Sequence, residues 1–434
     1  MQLIFQTGGA LEADSPNYVE READREASLA VRQGKYLYTI APRQMGKTSL
    51  LNRLAKQMTF WGWRCGFVDL GTLKGLGQAM WFEQLAESLA RQLKCPAPSQ
   101  LRNAHDFREF LLEQAGLAQE QNPVRLALFF DEIEGLIDQT FSDAFLMMLR
   151  ELYNRRESYP GQLTVAFGGA TNTEALVKDP IISPFNVAQE ITLDDFTAQE
   201  TQKLTSHLAD LNVPVDKEIS SHIYHWTSGQ PHLTQRICEV LEVWIKNRQI
   251  SAITAAEVDR VVRERILNPR RRDSNVKHVL KEIRTLQEPA ASLWQRLLAQ
   301  SLSGEPISSY EAGFYALYLT GGVSDMPDGR VIIRNRIYEQ ALSVTDMSVT
   351  TLNKTAIVNF QRGLKELKRH LQGRDPDIYL RFTTLESRLL ENMQDKRDLG
   401  PSESLRNNRA QIIQELNRLA LTHLDSGRSF NDLC

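Results

Sequence analysis

Along residues 36–193 the chain alternates short apolar runs with longer stretches in which apolar residues recur every three or four positions. The runs are YLYTIA (36–41), RCGFVDL (64–70), RLALFFD (125–131), QLTVAFGG (162–169) and AQEITL (188–193), and each predicts a strand. The stretches between them, at about 47–60, 78–94, 105–119 and 140–157, predict helices. A strand with one wet face alternates apolar and polar residues. These runs are nearly continuous in apolar character, so the pattern predicts a parallel sheet with helices on both faces.

After TLDDFT the strand pattern stops and residues 197–265 read as several helices. One begins after SGQP, where Pro231 suits a first helical turn. The stretch RERILNPRRRD (263–273), interrupted by Pro269, predicts a linker. Residues 276–345 mix helices with one hairpin, GGVSDMPDGRVIIRNRIY, whose turn is DMPDG; together these predict a winged helix. Residues 350–434 are helical and polar, with breakers at GRDPD and DLGPSES. There Leu405, Ile412, Leu416, Leu419 and Leu424 form one apolar stripe at helical spacing, at least part of which must pack internally. No internal repeat is evident.

Composition adds exclusions. The chain has 434 residues, 42% hydrophobic and 24% charged, with a net charge of −3 and a pI near 6.3. That is an ordinary globular balance with length for several domains, and it lacks the overall basic footprint of a nucleic-acid binder. No apolar run approaches the ~20 residues needed to span a bilayer, and the N-terminus turns acidic too soon for a signal peptide. Cys65, Cys95, Cys238 and Cys434 are scattered without metal or redox spacing. Free thiols in a reducing cytoplasm are the expectation.

The chemistry concentrates at Ala41, Pro42, Arg43, Gln44, Met45, Gly46, Lys47 and Thr48, followed by Ser49. APRQMGKT fits the phosphate-binding pattern GxxxxGK[ST] at every fixed place but the first. Alanine is the smallest replacement for that glycine and keeps the loop if φ is negative there. Gly46 would let the backbone approach phosphate, Lys47 would neutralise the β- and γ-phosphates, and Thr48 would hold Mg²⁺. The strand RLALFFD ends in Asp131, which would support Mg²⁺ through water, and Glu132 follows as the base for an attacking water. Lys47 and Glu132 are thus the catalytic candidates, and Thr48 and Asp131 the metal candidates. Thr171 and Asn172, after the fourth strand, suit either a γ-phosphate contact or a helix cap. WTSGQPHL (226–233) either brings a helix N-terminus to the nucleotide or simply opens a helix. His222 and His225 have helical spacing but lack the partners of a metal site. The arginines at 263–272 read as a solvated linker before a phosphate contact in trans.

SPNYVEREAD, APRQMGKTSLLNRL, LALFFDEIE, PFNVAQEITLDDFTAQE and WTSGQPHLTQRIC, in this order, resemble the AAA-like NTPase modules of bacterial signal-transduction ATPases with numerous domains, the STAND class. LTGGVSDMPDGRVIIRNRIYEQAL resembles the winged-helix end of such modules, and the likeness covers roughly residues 1–345. It implies an α/β P-loop NTPase with a parallel ASCE-type sheet in residues 1–195, a helical lid in 196–268 and a winged helix in 269–348. A helical bundle in 349–434 is similar to effector-associated modules. By the same resemblance, ATP (or ADP, or less often GTP) with Mg²⁺ lies between core and lid. Tyr18, Val19 and Arg21 then sit near the base, and Pro231 and His232 reach the nucleotide from the lid. The implied function is a switch that couples nucleotide state to an effector or sensor protein, in signalling or bacterial defence, with self-assembly on activation. The competing expectation is a DNA-acting ATPase of origin-recognition or transposition-helper type. The segment SSYEAGFYALYLTGG (308–322) carries no Lys or Arg for it, but Arg330, Arg334 and Arg336 on the hairpin do.

Overall fold

A computed structural model describes residues 3–98, 100–172, 175–176, 183–303, 306–344, 364–372, 376–399 and 403–423. The chain forms two compact units: Met1–His278 with Leu319–Gly321 and Asn335–Ile337, and the described residues of Val279–Tyr318, Gly322–Arg334 and Tyr338–Cys434.

The first unit is built on five parallel strands, β1 (Leu37–Ile40), β2 (Arg64–Asp69), β3 (Arg125–Asp131), β4 (Gln162–Gly169) and β5 (Gln189–Glu190). Their order is β2-β3-β4-β1-β5. The central strands β3 and β4 are buried from their second residue onward. That is why RLALFFD and QLTVAFGG lack polar alternation. β5 is shorter than its apolar run, because only Gln189 and Glu190 pair with β1. Ile191 N–H still donates to Tyr38 O at 2.8 Å, but Leu193 lies beyond the strand and stays buried in the core, so apolar character there reports burial and not strand pairing.

Helices α1 (Glu22–Arg32), α2 (Lys47–Phe60), α3 (Gln78–Leu93), α4 (Ala104–Glu113) and α5 (Ser142–Asn154) flank the sheet. α2 turns Leu50, Leu51, Leu54 and Met58 inward, with Trp63 beside them in the same core. Trp81, Phe82, Phe107 and Phe145, contributed by α3, α4 and α5, pack ring against ring.

A helical stretch follows as α6 (Ala198–Ser206), α7 (Ile219–Thr227), α8 (Pro231–Lys246) and α9 (Ala255–Val261). The expected linker at 263–273 is only partly one. α9 continues as a π-helical segment, Val262–Leu267, with Val262 and Ile266 buried. Val258, Val261, Val262 and Ile266 make an apolar stripe that the arginine count conceals. α10 (Ser274–Arg284) begins after the turn that holds Pro269.

Further on lie α11 (Ala290–Ser303), α12 (Phe314–Leu319), β6 (Val323–Asp325), β7 (Val331–Ile333) and α13 (Arg336–Val344). β6 and β7 form the expected antiparallel hairpin, closed by Met326 N–H to Arg330 O at 2.8 Å and Gly329 N–H to Met326 O at 2.8 Å. In the second unit a helix at 364–371, here α14, joins α15 (Pro376–Leu399) and α16 (Glu403–His423) around Leu367, Leu371, Phe382, Leu389 and Leu416. Ile412, Leu416 and Leu419 of the apolar stripe therefore pack inside their own bundle. The side chain of Leu405, and Leu424 altogether, lie outside the described residues. No described helix is long and apolar enough to cross a membrane.

Candidate functional site

The loop between β1 and α2 leaves the sheet where Ala41 N–H donates to Gly169 O at 3.2 Å. Its left-handed residues are Gln44 (φ 62°) and Gly46 (φ 93°), and Ala41 is not among them. An alanine therefore fits the first position without strain. Gly46 is different: besides its positive φ, a Cβ there would lie 3.0 Å from an Arg21 guanidinium nitrogen. Gly46 caps α2, whose first turn carries Lys47, Thr48 and Ser49 and directs free N–H groups into the loop. Lys47 is buried, and its Nζ donates to the carbonyls of Ala41 (2.8 Å) and Pro42 (2.9 Å). Burial lowers its pKa, against the opposing pull of Glu134, Asp131 and Glu132. An anion placed in the loop would supply what that ammonium lacks.

The strand order puts β4 between β1 and β3, so the loop faces the C-terminal end of β3 across one strand. Asp131 Oδ2 accepts the Thr48 hydroxyl at 2.6 Å, which locks the two metal candidates together. Asp131 Oδ1 is buried with no hydrogen-bond partner among the described residues, and burial raises the carboxyl's pKa. An orphaned carboxylate oxygen beside the Thr48 hydroxyl fits a hydrated Mg²⁺. In such an occupied site Thr48 and Asp131 would hold the ion, which would offset phosphate charge.

Glu132 follows in left-handed backbone (φ 51°, ψ 50°). Its pKa rises to about 7, first through burial, then through a hydrogen bond and charge repulsion from Glu134 and charge from Asp131. Glu134 in turn accepts Ala170 N–H at 3.2 Å, which ties the acidic turn to the end of β4. On the other side, a Cβ on Gly71 would lie 3.3 Å from Glu132 Cβ. Glycine at 71 leaves that room. The DEIE sequence contained Glu134, but its role depends on the turn and not on spacing.

Before α1, Arg21 is buried and donates to Met45 O (2.9 Å) and Asp194 O (3.2 Å), with its guanidinium 5.6 Å from the Phe196 ring centroid. It ties the entry segment to the phosphate loop and the sheet's end. Tyr18 donates to Asp24, which also accepts Arg21 N–H at 2.9 Å. Burial, then Asp24, raises the Tyr18 pKa, so the phenol stays neutral.

Between α7 and α8, Gly229 (φ 80°) meets the chain after β5: Phe196 N–H donates to Gly229 O at 2.9 Å, and a Cβ on Gly229 would sit 1.8 Å from Phe196 O. No other residue fits there. Gln230 caps α8 by accepting Leu233 N–H at 2.6 Å, and its amide donates to Gln44 O in the phosphate loop at 3.3 Å. SGQP thus does more than open a helix. His232 turns its Nε2 to Asp273 Oδ1 at 3.0 Å. Burial would raise Asp273, but His232, Asn275 N–H and Arg236 together hold it below the usual carboxylate range.

These elements enclose a cavity of about 760 Å³, within the ordinary range for a small-molecule site. Tyr18, Val19, Arg21, Arg43, Gln44, Met45, Gly46, Lys47, Thr48, Ser49, Glu132, Pro231 and His232 line it. Ala41 and Pro42 are not in its lining and act through their carbonyls on Lys47; Asp131 acts through Thr48. Thr171 does not line it either. It follows β4 beyond Ala170, whose N–H donates to Glu134. Sequence reading missed the N-terminal segment around Gln6, Thr7 and Leu11, and also Gln235, Ser274 and His278. Nothing in their spacing marks them, because they reach the cavity only through the chain's tertiary path. Among the described residues no cluster of three His, Cys, Asp or Glu could hold a metal. His222 pairs with Asp259 at 2.8 Å, which also accepts Trp226 Nε1–H at 2.8 Å.

The chain is similar to several known proteins. Over 284 residues, 61% of the chain, the sequence is 31% identical to an uncharacterized WD repeat-containing protein of Synechocystis sp., of which it spans 23%. The fold is similar to that of a Walker-type ATPase of Pyrococcus abyssi, with a TM-score of 0.56, 15% identity, and coverage of 79% of this chain and 100% of that one. A variant of RuvB from Thermotoga maritima matches with a TM-score of 0.43 and 16% identity over 78% of this chain and 98% of its own. The family model described as an AAA-like domain matches residues 6–262, and the chain belongs to that AAA-like, P-loop ATPase-fold family.

Proposed function

We propose that the protein is an ATP-binding switch of the STAND kind, a slow ATPase whose nucleotide state governs recruitment of an effector or sensor protein. The observation that carries this reading is the bridge from lid to loop. Gln230 caps α8 and holds a phosphate-loop carbonyl at once. A phosphate in that loop changes the surroundings of Gln44 O, and so couples directly to the lid. A ligand shifts such an equilibrium only by its differential affinity for the two arrangements, and this contact is where the difference would arise. Asp131, Glu132 and Thr48 supply the means of hydrolysis. The Synechocystis relative is a WD repeat-containing protein of which this chain spans 23%, so there the matched module stands beside further domains. This supports a module that works joined or bound to others. Within this chain, residues 349–434 are the proposed partner-binding part, and 276–345 the winged helix.

The DNA-acting alternative needs free cations on the hairpin. Arg330 is paired with Asp328 at 2.7 Å. Arg334 is buried and donates to Val323 O at 3.2 Å, and Arg336 lies over the Trp226 ring at 4.9 Å. Arg334 is thus committed inside the protein, Arg330 is already paired, and Arg336, though exposed, lies on α13 against Trp226, which favours the switch.

The test is ATP binding by titration calorimetry with wild type and Lys47→Ala. Affinity should fall at least about tenfold, ~1.4 kcal/mol. A folded variant that binds ATP as tightly as wild type would overturn the site.

A further inference from the structure

Gln235 lies on α8, one helical turn beyond Pro231 and His232, and lines the cavity. It is only 6% exposed, yet neither its Oε1 nor its Nε2 has a hydrogen-bond partner among the described residues. A buried primary amide with both ends unpaired is costly, and native interiors rarely tolerate one. The neighbouring polar groups are taken: His232 and Arg236 both turn to Asp273, and Gln230 holds Leu233 N–H and Gln44 O. A group bound in the cavity that Gln235 lines would supply the partner it lacks.

The chemistry of that partner follows from the amide. Phosphate oxygens only accept, so they would leave Oε1 unpaired. Lys47, Thr48 and the first turn of α2 already form a donor set for them at the loop. Gln235 needs a group that presents a donor and an acceptor side by side. The adenine edge does so, with its 6-amino group beside N7, and glutamine is its established bidentate complement. Guanine offers two acceptors on the same edge. Resting on the nucleotide-binding function proposed above, we infer that Gln235 is the base-reading residue and sets a preference for adenine over guanine nucleotides. Oε1 accepts from the 6-amino group while Nε2 donates to the ring nitrogen beside it. With the amide already buried and held on a helix, little ordering is left for binding to impose. A nucleotide without the 6-amino group would leave Oε1 stranded, which is how such a site rejects an analogue.

The experiment measures dissociation constants of the full chain for ATP, GTP and purine riboside triphosphate, which is ATP without the 6-amino group. Inorganic tripolyphosphate serves as competitor. Wild type should bind ATP at least about tenfold more tightly than either analogue. In Gln235→Met, which keeps length and burial, the three nucleotides should converge to within about twofold while tripolyphosphate competes as before. If that protein does not fold, Gln235→Glu, which keeps the shape but cannot donate, should lose ATP affinity at least about tenfold relative to tripolyphosphate. Unchanged nucleotide ratios in a folded variant overturn the inference and leave the nucleotide site standing. The same holds if the variant's loss tracks removal of a ribose hydroxyl, in 2′- or 3′-deoxy-ATP, and not the 6-amino group. Wild type that binds neither nucleotide nor tripolyphosphate overturns the proposed function, and this inference with it.

Discussion

At Glu132 a carboxyl pushed up to about 7 sits beside the Asp131–Thr48 pair. A base of this kind accepts a proton only when ionised, so kcat/KM for ATP hydrolysis should rise with pH through about 7 and level off above it. Glu132→Gln cannot accept the proton and should lower turnover ~10²-fold or more, with ATP affinity within about twofold of wild type. Equal turnover would remove Glu132 from the chemistry. Glu134 sharpens the point. Its hydrogen bond and charge both raise Glu132, so Glu134→Gln should move the midpoint of the pH profile downward. The midpoint should remain above the usual glutamate value, since burial is the largest cause and persists. A profile unmoved by this change would mean that Glu134 only ties the turn to Ala170. Asp131 and Glu132 were legible because a buried strand that ends in acids marks a ligand crevice. Glu134 was not, because its meaning comes from a left-handed turn at Glu132 that spacing does not encode.

Among the elements, the phosphate loop, its strand and α2 were readable almost residue by residue, because period and motif coincide there. The N-terminal segment has neither. Ile4 and Phe5 donate their N–H groups to the buried carboxylate of Glu242 on α8, at 2.8 to 2.9 Å, and Lys246 closes the group at 2.5 Å. Leu11 N–H then reaches Ser49 Oγ on α2 at 3.0 Å. The segment thereby joins α8 to the phosphate-loop helix along the cavity wall. A single glutamate on α8, 238 and 237 residues downstream, fixes the path of Ile4 and Phe5, and no local pattern could announce that. Glu242→Ala would strand two backbone donors and a lysine. It should cost ~2–4 kcal/mol of stability, read as a lower Tm. It should also speed release of a fluorescent ATP analogue roughly tenfold, because the cavity loses one tied wall. A loss of Tm with unchanged release would make the strap a structural tie alone.

For the whole molecule, the question is what the C-terminal bundle contributes to the proposed switch. The helical pattern of residues 350–434 foretold helices, and the stripe foretold an apolar face, but a stripe looks the same whether it meets a partner or its own chain. Ile412, Leu416 and Leu419 meet Phe382, Leu385 and Leu389, and α16 also packs on α11. Those three stripe residues are therefore spent inside the bundle, which leaves any partner to be met by its outer faces. The cavity, by contrast, is lined wholly by residues up to His278. Leu416→Asp, which puts a charge into the bundle core, should therefore unfold α14–α16 while ATP affinity stays within about twofold of wild type. Circular dichroism should register loss of helix, and titration calorimetry should register no change at the site. In a pull-down from the native host, the same variant should lose partners that the wild type retains. Nucleotide affinity that falls with the bundle would make residues 349–434 part of the switch body and not an adaptor. Partners retained after the bundle unfolds would place the docking surface elsewhere on the chain.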